Sequence, residues 1–189
     1  MSVDHAESLR AADWTVGPVD HADAVDFITR THYAGGAPNT SVARHALRRR
    51  GCDDVLGVAL WLPPTKNAAA SVADDWRGVL ALSRLCVAAT APRNGASFLL
   101  ARSMRMLDRG RWHTLLTYAD TSLGHSGAIY LATNWRRLGE VPGSDNWIDA
   151  DGVRRGRKRG GRNLSVAEMR DRGFTRLPTA PKVKFVHTR

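Results

Sequence analysis

The segment Arg93-Asn94-Gly95-Ala96-Ser97 follows an apolar run and opens a stretch in which Phe98, Leu99, Leu100, Met104 and Leu107 recur at helical spacing. A strand that turns through such a segment into a helix presents backbone N–H groups and the positive end of the helix outward, as a cradle for a pyrophosphate. A plain tight connection uses the same residues differently: Gly95 takes a positive φ angle and the Ser97 hydroxyl caps the helix. No G-x-x-x-x-G-K-[ST] and no G-x-G-x-x-G occurs, so a P-loop and a dinucleotide fingerprint are excluded and the diphosphate of coenzyme A remains.

A second group of reactive side chains stands at the ends of elements. His32 and Tyr33 enter the glycine-rich turn His32-Tyr33-Ala34-Gly35-Gly36-Ala37-Pro38-Asn39, and Asp120 ends an apolar run. Side chains there are free to face a substrate. An imidazole with an ordinary pKa near 6.5 suits proton removal at neutral pH, although an isolated His is as readily surface decoration. Asp120 also reads as a cap for the turn at Thr121. His125, between Gly124 and Ser126-Gly127, is open to the same two readings. Arg84 falls in or just after a buried strand, where an unpaired cation is costly, and this favours a contact to phosphate or substrate. Asn134 and Trp135 read as a helix C-terminal turn and a core anchor.

These residues need elements to hold them. The patterning predicts a strand over Ala11 to Val19, a helix from Ala22 to Thr31 capped by Asp20, and a second helix from Thr40 or Ser41 to Arg50. Apolar runs Val55 to Leu62 and Val79 to Ala88 predict strands buried on both faces, with a helix-like stretch Ala70 to Trp76 between them. A helix to Arg109, a strand His113 to Tyr118 and a helix Ala128 to Asn134 follow. Leu138 to Val141 and Trp147 to Val153 predict a hairpin turning near Pro142-Gly143-Ser144. Ser165-Val166-Ala167-Glu168 is a capping box for a helix to Arg172, and Lys182 to His187 alternates as a last strand. The order predicts an α/β fold, one mixed central sheet flanked by helices, in a single domain over residues 1–189.

The 189 residues carry a net charge of +10, but unevenly: residues 1–150 hold 16 Lys and Arg against 15 Asp and Glu, and residues 151–189 hold 12 against 3. Arg154, Arg155, Arg157, Lys158, Arg159 and Arg162 place six cations in nine residues, interleaved with glycines that predict a mobile basic loop over 153–163, ahead of a helix and strand in 164–189. Such a density is either a solvated loop or the footprint of a nucleic-acid binder. Two cysteines, 43% apolar residues and no apolar leader or span point to a folded chain of the cytoplasm, away from membranes.

The order strand, arginine-glycine-serine turn, helix, strand, then a helix with Tyr130 and Asn134-Trp135-x-x-Leu138-Gly139 resembles the acyl-coenzyme-A-binding half of GNAT-type N-acyltransferases. His32-Tyr33-x-Gly35-Gly36, Leu82-Ser83-Arg84-Leu85, Pro92 to Ser97, Tyr118-Ala119-Asp120 with Gly124-His125-Ser126-Gly127, and Tyr130-x-Ala132-x-Asn134-Trp135, in that order, resemble the Mom proteins of bacteriophages. That resemblance implies a GNAT-like transferase, acting in the host-cell cytoplasm, that converts adenine in double-stranded phage DNA to N6-(carbamoylmethyl)adenine or a related adduct and so blocks restriction. It implies acetyl-CoA or a related thioester as donor, with Arg84, Arg93, Asn94, Gly95, Ala96 and Ser97 around it. It further implies His32, Asp120, Tyr130 and Ser97 as catalytic residues and an iron requirement met by His32, Tyr33 and Asp120, a set of N and O donors that suits the metal. The basic loop would then hold the DNA backbone. An ordinary N-acetyltransferase and a non-enzymatic DNA-binding protein are the competing readings.

Overall fold

In the computed structural model, residues 8–33, 36–121, 124–143, 146–178 and 180–189 are described, without the side chains of Asn146, Arg154 and Lys158. Met1 to Glu7, Ala34 and Gly35 of the glycine-rich turn, and Ser144 of the expected hairpin turn lie outside the described residues. The main sheet has seven strands in the order β1-β2-β3-β4-β5-β12-β6, namely Trp14–Pro18, Ala43–Arg49, Gly57–Leu62, Val79–Val87, Thr114–Asp120, Lys182–Thr188 and Arg136–Val141. The β1 to β4 ladders are antiparallel and the β4–β5 ladder is parallel, so the sheet is mixed. The chain forms two compact units: residues 1–117, 128–137 and 185–189, and residues 118–127 and 138–184.

Helix α1 (His21–Thr31) buries Ala24, Phe27 and Ile28, the i, i+3, i+4 stripe of an amphipathic helix, against Ala46, Val58 and Leu60 of the sheet. Helix α3 (Gly95–Met106) buries Leu99, Leu100 and Met104, and its last turn is held by Arg189. The Arg189 guanidinium donates to the carbonyls of Met104 at 2.8 Å, Leu107 at 3.1 Å and Trp112 at 3.3 Å, at and just beyond the C-terminal end of the helix. Helix α5 (Val166–Asp171) starts at the capping box read from the sequence, with Ser165 and Glu168 each bonded to the other's backbone N–H.

Four expected elements are corrected. Residues 43–49 form a strand, not a helix: Ala, Leu and Arg favour a helix locally, but pairing on both sides with β1 and β3 outweighs that propensity. Helix α2 is Lys66–Ala70, set by the Thr65 cap, and Trp76–Gly78 is only a turn of 3-10 helix. The expected hairpin does not form. β6 joins the main sheet, while β7 (Asn146–Ile148) pairs with β11 (Thr175–Leu177) and β8 (Arg154–Arg155) in a separate three-stranded sheet. Finally, the basic segment is not an irregular loop. β9 (Lys158–Arg159) and β10 (Arg162–Asn163) pair through Gly160-Gly161, whose φ angles of 54° and 84° are those of a two-residue hairpin turn.

A buried polar network ties β2, β3 and α3 together. Trp61 Nε1 donates to Ser103 Oγ at 2.7 Å, and the Ser103 hydroxyl is hydrogen-bonded to His45 Nδ1 at 2.6 Å. Burial, reinforced by the neighbouring Arg44, pulls the His45 pKa down to about 4. The unfolded chain therefore binds a proton that the fold excludes. Stability from this site is complete above pH 6.5 and is lost as pH falls toward 4, by roughly 3 kcal/mol in all. Chemical denaturation between pH 7 and pH 4 measures it, and His45→Gln, which cannot titrate, should flatten that slope.

Candidate functional site

The site grows from a break in the sheet. β4 and β5 are in register only at Val79–Thr114, Leu80–Leu115 and Ala81–Leu116, although β4 continues to Val87. At the same place the β3–β4 register shifts: Leu60 pairs with Arg84 and Trp61 with Leu82, leaving Ser83 as the extra residue of a β-bulge. The carbonyl of Leu82, the first past the paired stretch, is met by the Thr117 hydroxyl at 3.2 Å. The side chain of Thr117 also interacts with the phenol of Tyr130.

Tyr130 lies on the short helix α4 (Ala128–Leu131), tilted against Trp135 at 5.8 Å and Phe185 at 5.1 Å between ring centroids. Burial raises its phenol pKa; the bond to Thr117 opposes the shift and nearby Tyr33 adds to it. A phenol so placed is protonated at neutral pH and is a proton donor rather than a base. Tyr33 stacks on His32 at 4.2 Å and is 54% exposed, which gives the site a half-buried phenol with a second, open one nearby. The turn carrying His32 and Tyr33 is tied down by Arg84, whose Nε donates to Gly36 O at 3.0 Å and whose Nη1 donates to Ser83 O at 2.8 Å and Ser83 Oγ at 3.2 Å.

Beside this cluster a groove of about 330 Å³ runs between the start of α3 and α4, walled by Val87, Ala128, Ile129 and Ala132 and closed by Pro92, Asn94, Gly95, Ala96 and Ser97. The first-turn N–H groups of a helix have no acceptor within it, and the Asn94 side chain caps none of them. The positive φ belongs to Asn94, at 70°, and not to Gly95 as expected; Gly95 is instead buried, where a Cβ would lie 3.4 Å from Leu47 and 3.7 Å from Ala91. The Ser97 hydroxyl donates back to Asn94 O at 3.0 Å.

A family model described as the Mom protein family matches residues 13–169. The chain belongs to the Mom protein family. Curated proteins give no match. Among solved structures, this Mom-family chain is similar to the ribosomal-protein-S18-alanine N-acetyltransferase of Escherichia coli, at 12% identity over 93% of each chain with a TM-score of 0.53. It is also similar to an N-acetyltransferase of Staphylococcus aureus Mu50, at 12% identity over 93% of this chain and 98% of that one, TM-score 0.56. A GNAT family acetyltransferase of Elizabethkingia anophelis with acetyl-CoA bound matches at 9% identity over 94% and 99%, TM-score 0.52. The likeness is one of fold, and the fold is the GNAT-like one expected.

Of the expected residues, the first unit of this Mom-family chain brings together two sets: Asn94, Gly95, Ala96 and Ser97 on the groove, and His32, Tyr33 and Tyr130 in one cluster. Arg84 reaches the turn rather than the groove lining, and Arg93 is exposed. Asp120 and the exposed His125 belong to the second unit. Among the described residues no three His, Cys, Asp or Glu side chains converge. His32 with Tyr33 offers two donors, short of a cage for iron. No described helix is long and apolar enough to cross a membrane.

The second unit uses several of its cations as structure. Arg155 Nε meets Asp149 Oδ2 at 2.7 Å, Arg157 Nε donates to Leu164 O at 2.7 Å, and Arg159 lies over Phe174 at 5.6 Å. Arg162 forms a two-pronged pair with Glu168, which together with Ser165 draws the Glu168 carboxyl down to about 2. The side chains of Arg154 and Lys158 lie outside the described residues. Sequence reasoning missed Thr117 and the wall residues Ala128, Ile129 and Ala132, because their roles exist only across elements.

The groove makes a prediction about its rim. Asn94→Ala should cost about 1 kcal/mol for a side chain forced into the left-handed region while Asn94→Gly should not, and Ser97→Ala should cost less than about 1 kcal/mol because its bond is exposed. Thermal melts of the three variants check this.

Proposed function

We propose that the protein is an acyl-CoA-dependent transferase that modifies adenine in double-stranded DNA at N6, protecting that DNA against restriction. The observation that carries the reading is the open groove at the start of α3 beside the protonated, half-buried phenol of Tyr130, in a chain of the Mom family. A CoA thioester, when bound, supplies an activated acyl carbon and a thiolate leaving group. The start of α3 attracts its diphosphate through backbone N–H groups and the helix dipole, with Ser97, Asn94 and Arg93 at the rim. Tyr130 holds a proton for the departing sulfur, aligned by Thr117. His32, held in its turn by Arg84, is the base for the N6 proton, with Tyr33 exposed beside it.

Adenine N6 is paired in the duplex, so the base must be flipped out, at a cost of a few kcal/mol. The basic hairpin around Arg154 to Arg162 supplies backbone contacts for that step. A carbamoylmethyl product contains a nitrogen that an acetyl thioester lacks, so forming it requires a second, amine-bearing reactant.

Mass spectrometry of nucleosides from plasmid DNA, after expression of the protein, tests the reading. Modified adenosine is expected with the wild type, and Tyr130→Phe and His32→Ala should each lower it by about 100-fold, the usual weight of a general acid or base. Unmodified DNA, with acetyl-CoA turnover on small amines instead, would leave an ordinary N-acetyltransferase. Independently, Lys158→Ala should flatten the plot of log K for DNA against log salt by about 0.9. Arg157→Ala should instead lower the melting temperature, because its guanidinium holds Leu164.

A further inference from the structure

A second cavity, of about 390 Å³, lies along the other end of α3 and shares Ala132 with the groove. Arg105, Arg109, Arg189, His187 and Asn134 line it. Three guanidiniums from positions as distant as 105 and 189 therefore face one concave space. They do not have equal freedom. Arg189 is committed to the carbonyls of Met104, Leu107 and Trp112. Its pKa is lowered by burial and further by Arg109, so the two cations are close enough to repel; Asp108 acts in the opposite sense. The Asp108 Oδ1, however, already accepts from the N–H groups of Gly110 at 2.8 Å and Arg111 at 3.3 Å. Arg105, in the last turn of α3, and Arg109, just beyond it, are exposed and make no hydrogen bond or ion pair among the described residues.

The remaining polar group is equally constrained. His187 Nδ1 lies 3.1 Å from the carbonyl of Asn134, which can only accept, so Nδ1 carries the proton and that bond fixes the ring in place. Offsetting helix carbonyls requires one guanidinium, and Arg189 already does it. Two more, held near it without an acid partner, raise the local potential, and an anion relieves it. Guanidinium pairs match the tetrahedral oxygens of phosphate by parallel N–H···O bonds.

We propose that this cavity is a phosphate-binding site, with Arg105 and Arg109 as the ligand-facing pair. The phosphate is carried either by a nucleotide-bearing ligand that extends from the neighbouring groove, such as the 3′-phosphate of coenzyme A, or by a nucleic-acid backbone. The site stands apart from the transferase reading because its test measures binding alone.

The full-length protein, titrated with inorganic phosphate by calorimetry, is compared with Arg105→Ala/Arg109→Ala and with Arg102→Ala/Arg111→Ala. The second pair removes the same charge from nearby cations that stack on Phe98 and Trp112 outside the cavity. Loss of two charge-assisted contacts should weaken phosphate by roughly 100-fold in the first variant, with little change in the second. Coenzyme A against its 3′-dephospho form, and duplex DNA across a salt series, then separate the sources. A wild-type preference for the 3′-phosphate that disappears in the first variant assigns the nucleotide. A DNA salt slope reduced by about 1.8 assigns the backbone. Phosphate lost with neither arm altered keeps the site and assigns it to another phosphate ligand. Equal phosphate affinity in the wild type and both variants, or equal loss in both variants, overturns the proposal and leaves the arginines as bulk charge at a helix end. Melting curves of both variants, expected to match the wild type because all four residues are exposed, guard against an unfolded variant.

Discussion

The end of the β4–β5 ladder after Ala81 and Leu116 is the constraint on which the first unit turns. Interrupting a parallel pair inside a sheet leaves backbone groups without ladder partners, and a buried one left unsatisfied costs about 1–3 kcal/mol. The chain meets that cost locally. Thr117 takes the Leu82 carbonyl, the Ser83 bulge re-aims β4, and Arg84 turns its guanidinium onto the carbonyls of Ser83 and Gly36. Each repair also positions chemistry. Thr117 orients the Tyr130 phenol, and Arg84 fixes the turn that presents His32 and Tyr33. Structural satisfaction and site geometry are therefore the same set of hydrogen bonds.

The second unit solves a different problem, the packing of a small module dense in like charges. Trp147, Leu164 and Met169 form its buried centre, with Val166 and Phe174 against them. Around that small core, guanidiniums act as ties: Arg155 to Asp149, Arg157 to the Leu164 carbonyl, Arg162 to Glu168. Exposed ion pairs contribute little individually, but here several act on one short hairpin and its neighbouring helix. Arg159 and Arg162 stand directly opposite each other in β9–β10, a repulsive arrangement, and each is drawn off toward a different partner, Phe174 or Glu168. The hairpin can therefore keep its charge and still fold.

What the sequence by itself determined lies where local physics decides. The apolar runs of β3 and β4, the amphipathic stripe of α1, the strand-turn-helix at 79–106 and the Ser165 capping box are legible because periodicity and caps act within a few residues. The ordered motifs from His32 to Trp135 likewise named the family. The Gly160-Gly161 hairpin was equally local and was misread as a mobile loop, because the charge run around it hid a turn signal. Tertiary structure decided the rest. Residues 43–49 became a strand because two neighbouring strands supplied hydrogen bonds that a helix could not match, and β7 left its expected partner for β11. The residue in the left-handed conformation was Asn94 and not the neighbouring Gly95. The partnership of Thr117 with Tyr130 and the gathering of Arg105, Arg109 and Arg189 into one cavity join residues up to 84 positions apart. A charge count along the chain sees only its basic end; whether distant cations share a space depends on which strands pair, and that is fixed by the burial of the whole core rather than by any one segment.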